Sequence, residues 1–444
     1  MGTQGAQLRM ESVQSESQIQ QWSAVTRVVF RFCFVYFGLY CFFTQIVSSL
    51  IPLPTVDIPE LSSLWPMGPL VTWTAAHALR IARPVVYTET GSGDRTFDWV
   101  LLFCLLVIAA VATFVWSLLD HRRKNYVALY KWFRVYIRIC LAGQMFVYGM
   151  SKAVPLQMPY PYLAKLIEPF GKFSPMGVLW SSIGSSPAYE SFAGCAELLG
   201  GILLIVPRTT TLGALVCLAD MTQVFMLNMT YDVPVKLLSF HLILLSLFLL
   251  APDVQRLANL FFLDRPAGRS TQPPLFATRR ANHIALAAQV IFCFVLLGAN
   301  AYGSWTGWHQ FGAGSPKSAL YGIWDVNQLA IDGQIRSPLL TDYGRWRRAI
   351  FDIPSRMSFQ RMDESFARYG ASIDGDKKTL ALTKDDDKNW KSSFIFQRPA
   401  PDQLILDGSM DGHKVHMQME LLERTKFLLV SRGFHWVQEA PFNR

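Results

Sequence analysis

Residues 99–119 read WVLLFCLLVIAAVATFVWSLL, twenty-one positions without a charge. At 1.5 Å per residue, an α-helix of about 20 residues crosses the ~30 Å hydrocarbon layer of a bilayer. A stretch this long and apolar reads as a transmembrane helix. Six more stretches read the same way: Val28–Ile51, Phe133–Met150, Ser191–Val206, Leu212–Leu227, Pro234–Ala251 and Ile284–Tyr302. Only Pro207, Arg208 and a threonine run separate the fourth span from the fifth, which predicts a tight helical hairpin. The whole chain is 51% hydrophobic and 16% charged, against about 25% charged in ordinary soluble domains. The expected fold is therefore an α-helical membrane bundle of about seven transmembrane helices.

The net charge of +9 has a membrane explanation, because cytoplasmic loops collect Lys and Arg. No recognition motif accompanies the charge, so no nucleic-acid partner is expected. The loop after the second span carries Arg122, Arg123, Lys124, Lys131 and Arg134, and the loop after the sixth carries Arg256, Arg265, Arg269, Arg279 and Arg280. Both loops are expected in the cytoplasm. The long loops Pro52–Asp98 and Ser151–Glu190 hold few basic residues for their length. They are expected outside, the first with an interfacial helix near Trp65 and Trp73, the second as a Pro-rich aromatic cap. The polar tail 1–21 lacks the pattern of a signal peptide. Together these features predict a multi-pass protein of the cell (inner) membrane, with a cytoplasmic N-terminus and an extracytoplasmic C-terminal domain.

After the seventh span the composition changes. Asp332-Gly333, Asp374-Gly375, Asp407-Gly408 and Asp411-Gly412 read as hairpin turns. Val415, Met417, Met419 and Leu421 alternate with His416, Gln418 and Glu420, the pattern of a half-buried strand. Short strands at this spacing predict a small antiparallel β-barrel or sandwich, and Gly322-Ile323-Trp324 resembles the opening of lipocalin-like barrels. The linear division is a tail (1–21), two spans with a long outer loop (22–132), a four-helix core (133–253), a cytoplasmic loop and seventh span (254–316), and an extracytoplasmic β-rich domain (317–444).

Seven cysteines lie in the apolar runs without a C-x-x-C pair, so they read as packing residues. His413, His416 and His435 have no spacing that fixes a metal geometry, and no metal site is assigned. No nucleophile elbow or phosphate loop is present, so no catalytic residue is assigned. Ionisable groups inside spans are costly and each needs a reason. The third span carries Arg138, Gln144, Tyr148 and Lys152 within an arc of about 120° at 100° per residue. The fourth carries Glu197, with Gly194 and Gly201 at helical spacing for a close neighbour. The fifth carries Asp220 and Asn228, and the sixth follows Asp232 with Lys236 and His241. Tyr148, Lys152, Glu197, Asn228, Asp232 and Lys236 all fall near the outer level, as the walls of an outward-facing pocket would. Arg138, Gln144, Asp220 and His241 are secondary or structural candidates. The competing reading is interhelical pairing that only fixes packing.

The stretch Arg138–Lys152, with Gly143, Phe146 and Gly149, resembles the opening helix of the DoxX-like membrane proteins. Ala196-Glu197-Leu198-Leu199-Gly200-Gly201, the basic turn at Arg208 and Asp232-Val233-Pro234-Val235-Lys236 continue the resemblance, which covers residues 134–253. It implies a four-helix membrane core and a loose association with quinone-linked or thiol redox chemistry. The absence of a C-x-x-C pair departs from a dithiol role. Two expectations follow. In the first, the bundle is redox-associated and binds a quinone or another amphipathic small molecule, with Lys152 and Glu197 orienting polar groups or relaying a proton. In the second, the membrane part is a non-catalytic anchor or scaffold, and the outer barrel binds a lipid, an envelope component or a partner protein.

Overall fold

The computed structural model describes residues 21–51, 58–268, 272–387 and 390–443. Of the predicted tail only Gln21 falls inside this set, and Arg269 lies outside it. The chain forms two compact units, residues 1–153 with 192–303, and residues 154–191 with 304–444.

The first unit is built on α1 (Ala24–Phe43), α2 (Thr96–Leu119), α3 (Val127–Ala153), α4 (Pro187–Ile205), α5 (Thr210–Thr230), α6 (Lys236–Leu250) and α7 (Arg279–Gln310). Among the described residues six stretches are long and apolar enough to cross a membrane: α1, α2, α4, α5, α7 and the run Lys236–Phe261 that starts with α6. Helix α3 has 27 residues, ample length, but its polar side chains lower its hydropathy. Arg134, Arg138, Gln144 and Lys152 on it are all buried. A membrane helix tolerates such groups only when they face the bundle.

The helix ends explain several of these residues. The last carbonyls of a helix lack intrahelical donors and sit at the negative end of its dipole. Arg134 Nη1 donates to Leu249 O at the end of α6 (2.7 Å), and Arg138 Nε donates to Leu204 O at the end of α4 (2.9 Å), with Nη2 on Ile205 O. At the opposite kind of end, Asp94 accepts from the Lys236 and Leu237 amides that open α6 (2.8 and 2.9 Å). Ser23 caps α1 by accepting from the Thr26 amide. The α4–α5 hairpin forms as predicted, closed by Thr209 Oγ1 on Leu203 O (2.6 Å).

The second unit holds an antiparallel barrel of β1 (Gly322–Ile331), β2 (Trp346–Phe351), β3 (Arg356–Arg361), β4 (Phe366–Asp374), β5 (Thr379–Thr383), β6 (Lys391–Gln397), β7 (Gln403–Met410) and β8 (His413–Leu422). Each strand pairs with the next, and β1 pairs with β8, which closes the sheet; Gln334–Ile335 adds a short ladder beside β1. Inward residues alternate strictly on β6, where Ser392, Phe394 and Phe396 are buried, and on β8, where Val415, Met417 and Met419 are buried. Eight strands leave an interior just wide enough for side chains to fill. Trp324, Phe351, Phe359, Phe394 and Met417 fill it.

Two expectations change here. Asp407-Gly408 is not a turn but lies within β7, where Gly408 pairs with Phe394 and a Cβ would collide with the Ser393 carbonyl. Asp332 and Gly333, and likewise Asp411 and Gly412, do adopt the paired positive φ angles of tight hairpin turns. The Pro-rich stretch assigned to the helical core instead belongs to the unit of the barrel. Leu163 is buried with Ile323 and Ile350, and its amide donates to Asp352 Oδ2 (2.8 Å).

Candidate functional site

Among the described residues, polar side chains of the first unit gather in several groups, and three of them concern the candidates above. The first runs along the C-terminal half of α3. Gln144 Nε2 donates to Ser49 Oγ (2.6 Å), Gln45 Nε2 donates to Gln144 Oε1 (3.3 Å) and to Tyr148 Oη (2.7 Å), and Lys152 Nζ lies 5.8 Å from the centre of the Tyr148 ring. Lys152 Nζ then pairs with Glu197 Oε1 at 2.6 Å, with both side chains more than 90% buried. The pair is held by the α3–α4 contact. A Cβ on Gly194 would collide with the Ala153 amide and the Gly149 carbonyl, so only glycine permits this approach. Glu197 Oε2 is buried without a hydrogen-bond partner, and so is Asp220 Oδ2. Asp220 lies within electrostatic reach of both Glu197 and Lys152.

The second group joins α6 to the loop before α2. Lys236 Nζ pairs with Asp232 (2.9 Å) and lies 3.8 Å from Asp94. Asn228 Nδ2 donates to Ser239 Oγ (3.0 Å). Arg95 grips Asp98 with two nitrogens (2.8 and 2.9 Å) and lies 3.8 Å from Glu60. Burial, with Asp98 beside it, holds the Glu60 carboxyl above the usual carboxylate range. A cavity of about 40 Å³ is lined by Tyr40, Gln45, Glu60, Asp98 and Leu237, so residues of both groups face one space.

The third group is His241, fully packed. Its Nδ1 lies 2.6 Å from Leu237 O, which can only accept, so Nδ1 carries a proton. Nε2 lies 2.6 Å from Tyr36 Oη, and the ring stacks on Tyr40 at 3.6 Å.

The structure thus brings Gln144, Tyr148, Lys152, Glu197 and Asp220 together. It sets Asn228, Asp232 and Lys236 apart in a second group, with Asp232 largely exposed. Arg138 stands at the other end of α3 as a cap on α4. Gln45, Glu60, Asp94, Arg95 and Asp98 escaped the sequence reading. They sit at helix ends and on loops, where no periodicity flags them; the Asp94-Arg95 pair after Gly93, just before an apolar run, was the available signal. Arg31, inside the first span, holds Tyr126 Oη (2.6 Å), Ser117 Oγ (2.8 Å) and Asp120 O (2.8 Å). Among the described residues no group of three His, Cys, Asp or Glu side chains is arranged to hold a metal. His413 pairs with Asp332, His416 with Asp407, and His435 is exposed.

No family model and no solved structure matches the chain. The curated protein named Uncharacterized protein YwoB, from Bacillus subtilis (strain 168), is 31% identical over 133 residues, which is 28% of this chain and 79% of that protein.

Proposed function

Because the chain belongs to the family of YwoB, itself uncharacterised, we propose its function from its own geometry. It is a DoxX-like integral membrane protein whose bundle binds a quinone or another amphipathic small molecule in an outward-facing, redox-associated pocket. One observation carries this: the buried Lys152–Glu197 pair ends a polar track and leaves acceptor oxygens on Glu197 and Asp220 without partners. A buried carboxylate costs free energy unless its lone pairs are filled. One lysine balances one of the two carboxylates. A hydroxyl headgroup such as a quinol's supplies the missing donors, and its tail lies among apolar helix faces. Lys152 and Glu197 orient that headgroup and offer a route for its proton.

The test is mass spectrometry of small molecules that co-purify with the protein in mild detergent. The wild type retains an amphipathic hydroxyl or quinone compound in stoichiometric amount. The Lys152→Met/Glu197→Gln variant inserts and folds but loses it. Full retention by a well-folded double variant sinks the site and leaves the second reading. In that reading the membrane part is a non-catalytic anchor, and the barrel binds a lipid, an envelope component or a partner protein. A space of about 780 Å³ in the barrel, bordered by Leu380, Phe394, Val415 and His416, is where such contacts would fall.

We infer an inner-membrane location with a cytoplasmic N-terminus and an extracytoplasmic barrel from the Lys and Arg of the α2–α3 and α6–α7 loops. A reporter active only in the cytoplasm, fused after Arg444, is expected to be silent. Activity there reverses the orientation.

A further inference from the structure

A cavity of about 140 Å³ lies within the second unit. Four segments build it: the Pro-rich stretch supplies Tyr160, the connection into β1 supplies Lys317 and Tyr321, the end of β2 supplies Asp352, and the turn after β8 supplies Arg424. Arg424 is held in place on two sides. Its Nη1 donates to Tyr321 Oη (3.2 Å), and its guanidinium lies 4.9 Å from the centre of the Tyr160 ring. Its Nε is buried and has no hydrogen-bond partner. Lys317 Nζ stands 4.8 Å from the centre of the Tyr321 ring. Among the described residues neither cation makes a close ion pair, and the one carboxylate that acts electrostatically on both is Asp352.

That acid, the one on the wall, is also tethered to the backbone. Asp352 Oδ2 accepts from the Leu163 amide (2.8 Å), and its backbone carbonyl accepts from the Ser318 amide (3.1 Å). Two cations therefore face one tethered carboxylate, with a guanidinium donor left over and aromatic walls around it. A guanidinium fork with an unused N–H, beside an ammonium, matches the acceptor oxygens of a phosphate group.

We propose that this cavity is a binding site for a phosphate group. The same chemistry comes from the phosphodiester headgroup of a phospholipid or from free phosphate. The tyrosine and proline walls cover the group, and Arg424 and Lys317 bind it.

The test uses the full chain purified in a neutral detergent. Isothermal calorimetry follows titration with dihexanoyl-phosphatidylglycerol in one arm and with inorganic phosphate in the other. Saturable binding is expected in at least one arm: the lipid alone identifies a headgroup site, and phosphate identifies a site open to the free ion. Arg424→Gln and Lys317→Gln should each weaken binding by about tenfold or more, the loss of one charge-assisted hydrogen bond. Lys317 makes no structural hydrogen bond among the described residues, so Lys317→Gln decides the question if Arg424→Gln folds poorly. No saturable binding in either arm overturns the proposal. So does wild-type affinity in a Lys317→Gln protein that melts like the parent.

Discussion

Lys152→Met is expected to lower the unfolding free energy by about 3–5 kcal/mol, the cost of leaving one member of a buried ion pair uncompensated. Glu197 cannot turn to water, because its side chain is 4% exposed. Its second oxygen already lacks a partner, so no spare donor stands ready to replace the lysine. The backbone cannot relax either, since α3 and α4 touch at Gly149 and Gly194. Removing both charges, in Lys152→Met with Glu197→Gln, is expected to restore most of the loss, because the orphaned charge disappears. Thermal unfolding in detergent, scored by monodisperse yield, measures all three proteins. A Lys152→Met protein as stable as the parent means that the pair is hydrated and contributes little. Stability and ligand retention are separate readouts. A double variant that is stable and empty supports a binding site, whereas one that is stable and loaded supports pure packing.

Trp324→Ala is expected to cost about 3–5 kcal/mol, the range for removing a large aromatic side chain from a packed core. Trp324 is fully buried at the start of β1, its indole Nε1 donates to Leu320 O (2.9 Å), and the Arg398 guanidinium lies 5.4 Å from its ring. Because β1 pairs with both β2 and β8, loosening it opens the seam that closes the barrel. Hydrogen exchange resolves the effect. Amides of β1, β2 and β8 should lose protection in the variant, and those of α1 to α6 should not. Unchanged exchange in β1 means that the barrel tolerates the cavity, and that Trp324 serves its surroundings rather than closure.

The apolar run 99–119 and most of its counterparts were enough to read a membrane bundle, because the length of a mostly apolar stretch is a local property measured against a fixed bilayer thickness. The alternation at Val415, Met417 and Met419 was enough to read a barrel strand, because a strand's period of two shows which face is buried. The Asp411-Gly412 hairpin was legible for a similar reason: the turn needs two positive φ angles, and that pair of residues adopts them readily. Asp407-Gly408 misled because the same pair of residues also suits a strand that another backbone crosses closely. Glu197 and Lys152 were each legible as expensive residues inside spans, and Gly194 as a contact point.

Their pairing was not legible, nor was the role of Arg138. A sequence shows that a buried charge needs a partner but not which helix supplies it, since the partner is chosen by helix rotation and crossing. Arg138 and Glu197 look alike in sequence, yet one caps a neighbouring helix and the other sits in an ion pair. Asp94 caps α6 from 142 positions away, and Arg424 meets Tyr160 across most of the second unit's sequence. Composition and periodicity determined which segments are helices and strands. Only tertiary packing decided which polar groups meet, because side-chain electrostatics act over a few ångströms and chain order does not encode that distance.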